Sequence, residues 1–357
     1  MNPAEARSRA AFALQAQWCA RLSSPFTARL CALLGERLDD ATATGRRVLS
    51  WPGNPDSTAD AVPLRLAGGL HALVRRGRLP ALAACYPPHP CLDDERLWAA
   101  VDHALKDADD ELLSWLDSPP QTNEVGRSAA LMAGLLCVAA RYDLPLALYE
   151  LGASAGLNLV LDRYGYRLGD REAGNMRSPL ILQPEWEGPA PPAAQVNIAF
   201  RRGVDLNPLD ITNAQDRERL LAYVWPDQPT RLAQLEAAIR IASHDPPEID
   251  RGDAAEWLSA HLDPKPAIGI TRVVMYSISY QYFPADVQAR IRDHIERVGS
   301  AASESAPFAW LRYEMNPDKP GDPALTLTLW PNGEERQLAV GHPHVRSLKW
   351  LNGSAER

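Results

Sequence analysis

Residues 146–158, Leu-Ala-Leu-Tyr-Glu-Leu-Gly-Ala-Ser-Ala-Gly-Leu-Asn, set an apolar run and a single acid directly before a turn of small residues, with an apolar stretch after it. The pattern predicts a buried strand, a tight turn and the start of a helix. Gly152 and Gly156 carry no β-carbon to keep a ligand from the backbone. The first amides of a helix have no intrahelical acceptor and lie in a partial positive field. A turn of this kind suits the polar end of a nucleotide-like ligand.

The same residues also spell G-x-S-x-G, the pattern of a nucleophile elbow, which makes Ser154 a candidate hydrolase nucleophile. Asp253 and His344 follow it in the chain order such a triad uses. That reading needs strands and an oxyanion loop ahead of the elbow. Residues 1–141 read as helix throughout, and Gly68-Gly69 falls inside a helical pattern, so a ligand-binding turn is the preferred reading.

With 357 residues, the chain is long enough for one large domain with additions or for two domains. A net charge of −8 gives no overall basic footprint for nucleic acid or an anionic membrane, so a small-molecule partner is favoured. The first residues lack a basic region followed by a long apolar core, and no apolar run is long enough to span a bilayer. The expected compartment is the cytoplasm. The five cysteines are an odd set for a disulfide framework and sit mostly in apolar helical patterns, as reduced core thiols do. Cys85, His89 and Cys91 are interrupted by two prolines and match no familiar zinc spacing, so no metal site is expected.

Organisation changes once along the chain. Residues 10–22, 26–38, 61–76 and 96–115 carry apolar residues at three- and four-residue spacing, and the breaks at 50–57, 77–80 and 86–90 are dense in Pro and Gly. We read residues 1–118 as a helical N-terminal cap domain. From 119 to 357 the order becomes α/β, a doubly wound sheet. A small-residue helix at 128–141 precedes strands at 146–151, 196–204, 273–278, 308–314, 325–330 and 337–340, and helices are expected at 215–223, 230–242, 254–261 and 285–299. Pro331-Asn332-Gly333 joins the last two strands, which predicts a C-terminal antiparallel hairpin. Residues 164–195 lack helical period and read as an insertion of short strands and loop.

Three stretches together carry a resemblance: 121–127, Gln-Thr-Asn-Glu-Val-Gly-Arg; 150–166, beginning Glu-Leu-Gly-Ala-Ser-Ala-Gly; and 201–208 through Val224-Trp225-Pro226-Asp227-Gln228. Over nearly its full length the chain resembles a bacterial domain-of-unknown-function family whose fold is similar to class I, Rossmann-type methyltransferases that use S-adenosylmethionine. The resemblance implies that Glu150, Gly152, Ser154 and Gly156, with Asn158 just after them, hold the methionine end of that cofactor. It further implies an acid at the end of the second strand for the ribose hydroxyls. Asp205, in Gly-Val-Asp-Leu-Asn-Pro, has the right setting if residues 164–195 are looped out, whereas Asp170 or Glu172 lies nearer the usual spacing of about 20 residues. Asp253 would meet the adenine amino group, and as a good N-cap residue it also suits the start of the helix behind it.

The fourth strand of this fold ends at Ser277-Ile278-Ser279-Tyr280-Gln281-Tyr282, where doubly wound sheets place reacting groups and where Tyr280 and Tyr282 can face a sulfonium. Gln121, Asn123, Glu124 and Arg127 form a polar run that suits cofactor or acceptor contact, with Thr122 or Asn123 as an ordinary helix cap in the plainer reading. Methyl transfer needs positioning and exclusion of water more than covalent help, and a hydroxyl or protonated amine acceptor adds the need for a base. Candidates are Glu314, His342 and His344. The expectation is an S-adenosylmethionine-binding enzyme methylating a small molecule. Alternatives are a non-methylating use of the fold, as cyclase, lyase or ligand-binding module, and a Ser154 hydrolase. Acceptor and oligomeric state stay open.

Overall fold

The computed structural model describes residues 2–89, 91–316 and 319–351. Its helices are α1 (Pro3–Arg21), α2 (Pro25–Arg37), α3 (Ala43–Leu49), α4 (Val62–Arg75), α5 (Pro80–Ala83), α6 (Asp94–Asp107), α7 (Asp109–Trp115), α8 (Arg127–Tyr142), α9 (Ala214–Ala222), α10 (Pro229–Ala242), α11 (Ala254–His261) and α12 (Ala285–Ser300). Its strands are β1 (Leu146–Leu151), β2 (Gly165–Leu168), β3 (Arg171–Gly174), β4 (Ile181–Leu182), β5 (Glu185–Glu187), β6 (Ile198–Asp205), β7 (Ile249–Arg251), β8 (Thr271–Ser277), β9 (Phe308–Asn316), β10 (Lys319–Trp330), β11 (Glu334–Gly341) and β12 (Ser347–Trp350). The chain divides into two units, Met1–Thr122 with Ala214–Ala233 and Asn123–Asn213 with Gln234–Arg357.

The first unit is helical. Its core gathers Phe12, Leu34, Leu66, Leu70, Val101 and Leu112, all essentially inaccessible, and burial of each such side chain contributes about 1.5–3 kcal/mol. Carboxylates start two of its helices from a distance: Asp109 accepts the Ala43 and Thr44 amides, and Asp227 accepts the Phe26 amide and the Ser24 hydroxyl. Residues 214–233 belong here because Tyr223 lies against Gly68 and Trp115, and His71 Nδ1 meets the Ala222 carbonyl at 3.0 Å. Burial brings His71 down to about 4, so it is a neutral core group at physiological pH.

The second unit holds a nine-stranded sheet in the order β5-β12-β11-β10-β9-β8-β1-β6-β7, and a small sheet β3-β2-β4. Strands β7, β6, β1, β8 and β9 run parallel, and β9 through β12 are antiparallel neighbours. It is therefore a mixed α/β unit with a large, mostly parallel central sheet. Every residue of β1 and β8 is buried, as central parallel strands require. The helix α8, rich in small residues, packs on β9 and β10, where Gly134 admits Leu311, and α11 and α12 cover Tyr149, Val274, Tyr276 and Trp310. The β10–β11 hairpin turns through Gly333 at φ +69°.

The structure departs from expectation in two places. No α-helix follows the glycine turn; residues 152–160 are turns and bends, leading into a 3-10 turn at Leu161–Arg163. The reason lies in side chains from elsewhere: Asn123 Oδ1 takes the Leu157 amide, while Arg201, Tyr164 and Tyr166 take the carbonyls of Leu159, Leu157 and Leu161. Those groups are the ones a helical ladder needs. The short strands β7 and β12 are also absent from the expected set, being too brief for a period-two signal. Between residues 164 and 195 the chain forms the small sheet and sends β5 to the edge of the large one.

Gly299 on α12 lies where a β-carbon would stand 2.3 Å from the Trp330 ring. Gly299→Val is expected to cost about 2 kcal/mol by overpacking a rigid ring, measured as a lower urea midpoint at unchanged slope.

Candidate functional site

β1 is the first strand of the sheet in chain order and lies inside its run of five parallel strands. The chain next builds β6 and β7 on one side and then β8 and β9 on the other, so the strand order reverses between β1 and β8. In open α/β sheets ligands bind outside the carboxyl ends of strands at such a point. Here those ends carry Gly152 and Ile278-Ser279.

The turn after β1 hangs from β6. The amides of Gly152 and Ala153 donate to the Val204 carbonyl at 2.9 and 3.0 Å, the Ser154 amide donates to Asp205 Oδ2 at 2.8 Å, and the Ser154 carbonyl accepts from Leu209 at 3.2 Å. Gly152, Ser154 and Gly156 all have positive φ, +68°, +55° and +71°. A β-carbon at Gly152 would stand 2.6 Å from Ser279 Cβ, and one at Gly156 2.6 Å from Pro247. The glycines thus serve backbone conformation and the approach of the protein's own side chains, a different use from the ligand clearance read from sequence.

Glu150 points toward α8. Its Oε2 and the Ser154 hydroxyl are buried without a hydrogen-bond partner among the described residues. Burial pushes the Glu150 carboxyl well above its ordinary range, opposed by the Asn158 side chain and reinforced by the charge of Asp205. Asn158 in turn accepts from the Ser128 hydroxyl at 2.7 Å. Asn123 is spent on the Leu157 amide at 2.8 Å, and no side chain caps α8, which corrects the plain capping reading of Thr122 or Asn123.

Asp205 Oδ1 accepts the Asn207 amide at 2.8 Å and the Asp205 carbonyl accepts from Gly252 at 3.1 Å, which brings the start of the β7–α11 link alongside. Asp253 caps α11 through the Ala255 and Glu256 amides, both at 3.0 Å. Asp170 stands in the β2–β3 turn and Glu172 in β3, on the small sheet.

The second group follows β8. Ser277 is buried, and its carbonyl accepts from Arg127 Nη1 at 3.0 Å. Ile278 has φ +47°, a left-handed conformation that a β-branched residue adopts only under constraint, at about 1–3 kcal/mol. Glu314 Oε1 accepts the next two amides, Ser279 at 2.8 Å and Tyr280 at 3.1 Å, and the Ser279 hydroxyl donates to the Leu151 carbonyl at 3.0 Å. Ser279 therefore joins both groups. The Tyr280 ring stacks on Tyr276 and its hydroxyl donates to the Gln288 carbonyl at 2.6 Å, whereas Tyr282 is 56% exposed.

Burial raises Glu314 to about 7, against the lowering effect of the turn's amides and of Arg127. A carboxyl in that range exchanges protons at neutral pH. His342 and His344 form an edge-to-face pair, and the His342 carbonyl accepts the Tyr313 hydroxyl at 2.8 Å.

A family model described as "Uncharacterized protein conserved in bacteria (DUF2332)" matches residues 9–350. The chain belongs to this family. No curated protein and no solved structure matches it. In this DUF2332 chain, Glu150, Ser154, Asn158 and Asp205 come together around the first turn, and Arg127, Ser277, Tyr280 and Glu314 around the second. Gln121 falls in the helical unit. Ser279, Ser128 and the Pro343 carbonyl escape sequence reading; only Ser279, beside the tyrosines, carries a signal in its position.

Because the fold holds Glu314 above its ordinary 4.5, its neutral form favours the folded state; that contribution is complete below about 4.5 and disappears as pH rises through about 7. The stability of Glu314→Gln relative to wild type is expected to rise across that window and level off above it, read by urea denaturation at stepped pH.

Proposed function

We propose that this protein binds S-adenosylmethionine at the carboxyl edge of its parallel strands and transfers the methyl group to a small molecule, in the manner of Rossmann-type methyltransferases. The observation that carries the reading is the reversal of strand order between β1 and β8, with a left-handed glycine turn on one strand and a carboxyl titrating near neutrality beside the other. The donor set fits such a cofactor. Asp205 is half-buried at the end of β6, where it accepts the Ser154 and Asn207 amides; Glu150 and Ser154 retain buried polar atoms with no partner among the described residues.

When bound, S-adenosylmethionine supplies an already activated methyl group. The chain's own work is then to hold and to deprotonate. Glu150 and Ser154 orient the amino-acid end, Asp205 the ribose and the Gly252-Asp253 segment the base. Glu314 accepts the proton released by a hydroxyl or ammonium acceptor, and Tyr282 offers an aromatic face to positive charge. The Ser154 hydrolase reading has less support: the Ser154 hydroxyl meets no base among the described residues, and Asp253 is committed to capping α11.

Titration calorimetry with S-adenosylmethionine and S-adenosylhomocysteine, with NAD as control, is expected to give micromolar binding of the sulfur ligands alone. Asp205→Ala is expected to weaken that binding at least tenfold while circular dichroism stays native. NAD binding, or no binding of any of the three, would overturn the proposal.

A further inference from the structure

We infer that Arg127 is a positioning residue: it ties the start of α8 to the end of β8 and to the turn after β11, and so fixes the strained turn at Ile278 whose following amides Glu314 accepts. The inference rests on the proposal above only in giving Glu314 a role as base.

Three observations meet at this residue. Arg127 Nη1 donates to the Ser277 carbonyl and Nε to the Pro343 carbonyl, both at 3.0 Å, so one planar group spans two backbone segments that are far apart in sequence. Next to it, a β-carbon at Gly126 would stand 2.5 Å from the His344 carbonyl oxygen; the two segments approach backbone to backbone, and the anchor is stiff. Beyond Ser277 the chain enters the left-handed Ile278, whose amide donates to the Tyr313 carbonyl at 2.8 Å, and the following amides are those held by Glu314. The strained turn is thus held from one side by the Arg127 fork and from the other by a carboxylate. Protonation of that carboxylate replaces charge-assisted amide bonds with weaker ones.

The charged and titratable groups around Glu314 come from every neighbouring element. Arg127 on the segment entering α8, Tyr276 on β8 and Tyr280 on the turn after it interact with Glu314 directly; Arg312 on its own strand faces both tyrosines, Arg292 on α12 faces Tyr280, and Glu124, Tyr282 and Tyr313 face Arg127. Among them Arg127 is the cation that opposes the effect of burial on Glu314.

The test is a carboxyl-carbon NMR titration of the full chain labelled at glutamate, assigned with Glu314→Gln, together with amide hydrogen exchange at pH 8. Arg127→Gln is expected to raise the Glu314 midpoint by about one pH unit, because it removes a cation that favours the charged carboxylate. Arg127→Lys keeps the charge and loses the fork: the midpoint stays within about 0.3 unit of wild type, while the Ser279 and Tyr280 amides exchange roughly tenfold faster. An unchanged midpoint in Arg127→Gln, or unchanged exchange in Arg127→Lys, overturns the inference. Should Arg127→Gln fail to fold, Arg127→Lys carries the test by itself. None of these readouts uses a ligand, so they stay interpretable whether or not S-adenosylmethionine binds.

Discussion

Asp205 and Val204 at the end of β6 accept three consecutive amides from the turn after β1, those of Gly152, Ala153 and Ser154. These three bonds fix the turn to the neighbouring strand, and it takes left-handed values at Gly152, Ser154 and Gly156. The consequences extend in both directions. Upstream, Glu150 stays fully buried on the α8 side of the sheet. Downstream, the carbonyls of Leu157, Leu159 and Leu161 go to Tyr164 just before β2, Arg201 on β6 and Tyr166 on β2. Ser279 packs directly against Gly152, where a β-carbon would stand 2.6 Å from its Cβ.

Burial treats the two glutamates of this edge differently. Glu150 and Glu314 are both pushed upward by loss of water, but Glu314 has amide donors and a nearby guanidinium to hold part of the charge, which leaves it near neutrality. Glu150 has one oxygen without any donor among the described residues and an acidic neighbour in Asp205. The two carboxyls of this edge are thus held in different environments, one with donors for its charge and one largely without them. The strain at Ile278 belongs to the same arrangement, since it persists only because the flanking carbonyl, amides and hydroxyl are all held.

Much of the architecture was readable from periodicity. Helices at 254–261, 285–299 and 230–242 and strands at 146–151 and 308–314 were expected within a few residues of where they lie, because each buries one face or both and the spacing of apolar residues records it. The hairpin at Pro331-Asn332-Gly333 was likewise local. Three features were not readable, each for a long-range reason. Residues 214–233 join the helical unit through Tyr223 and Asp227, whose partners lie in α2, α4 and α7. β7 has three residues and exists by pairing with β6. The missing helix after Gly156 is a competition won by Asn123, Arg201 and two tyrosines.

Composition and apolar spacing in the chain dictated that helices come first and an α/β sheet after, with a glycine turn behind a fully apolar strand; these are local matters of propensity and burial. The site was decided at another level. Glu150, Asp205, Ser279 and Glu314 are separated by dozens of residues, and their protonation and partners depend on which strands lie side by side. Buried polar groups must find donors and acceptors within about 3 Å, and sequence spacing carries no record of which distant backbone will supply them.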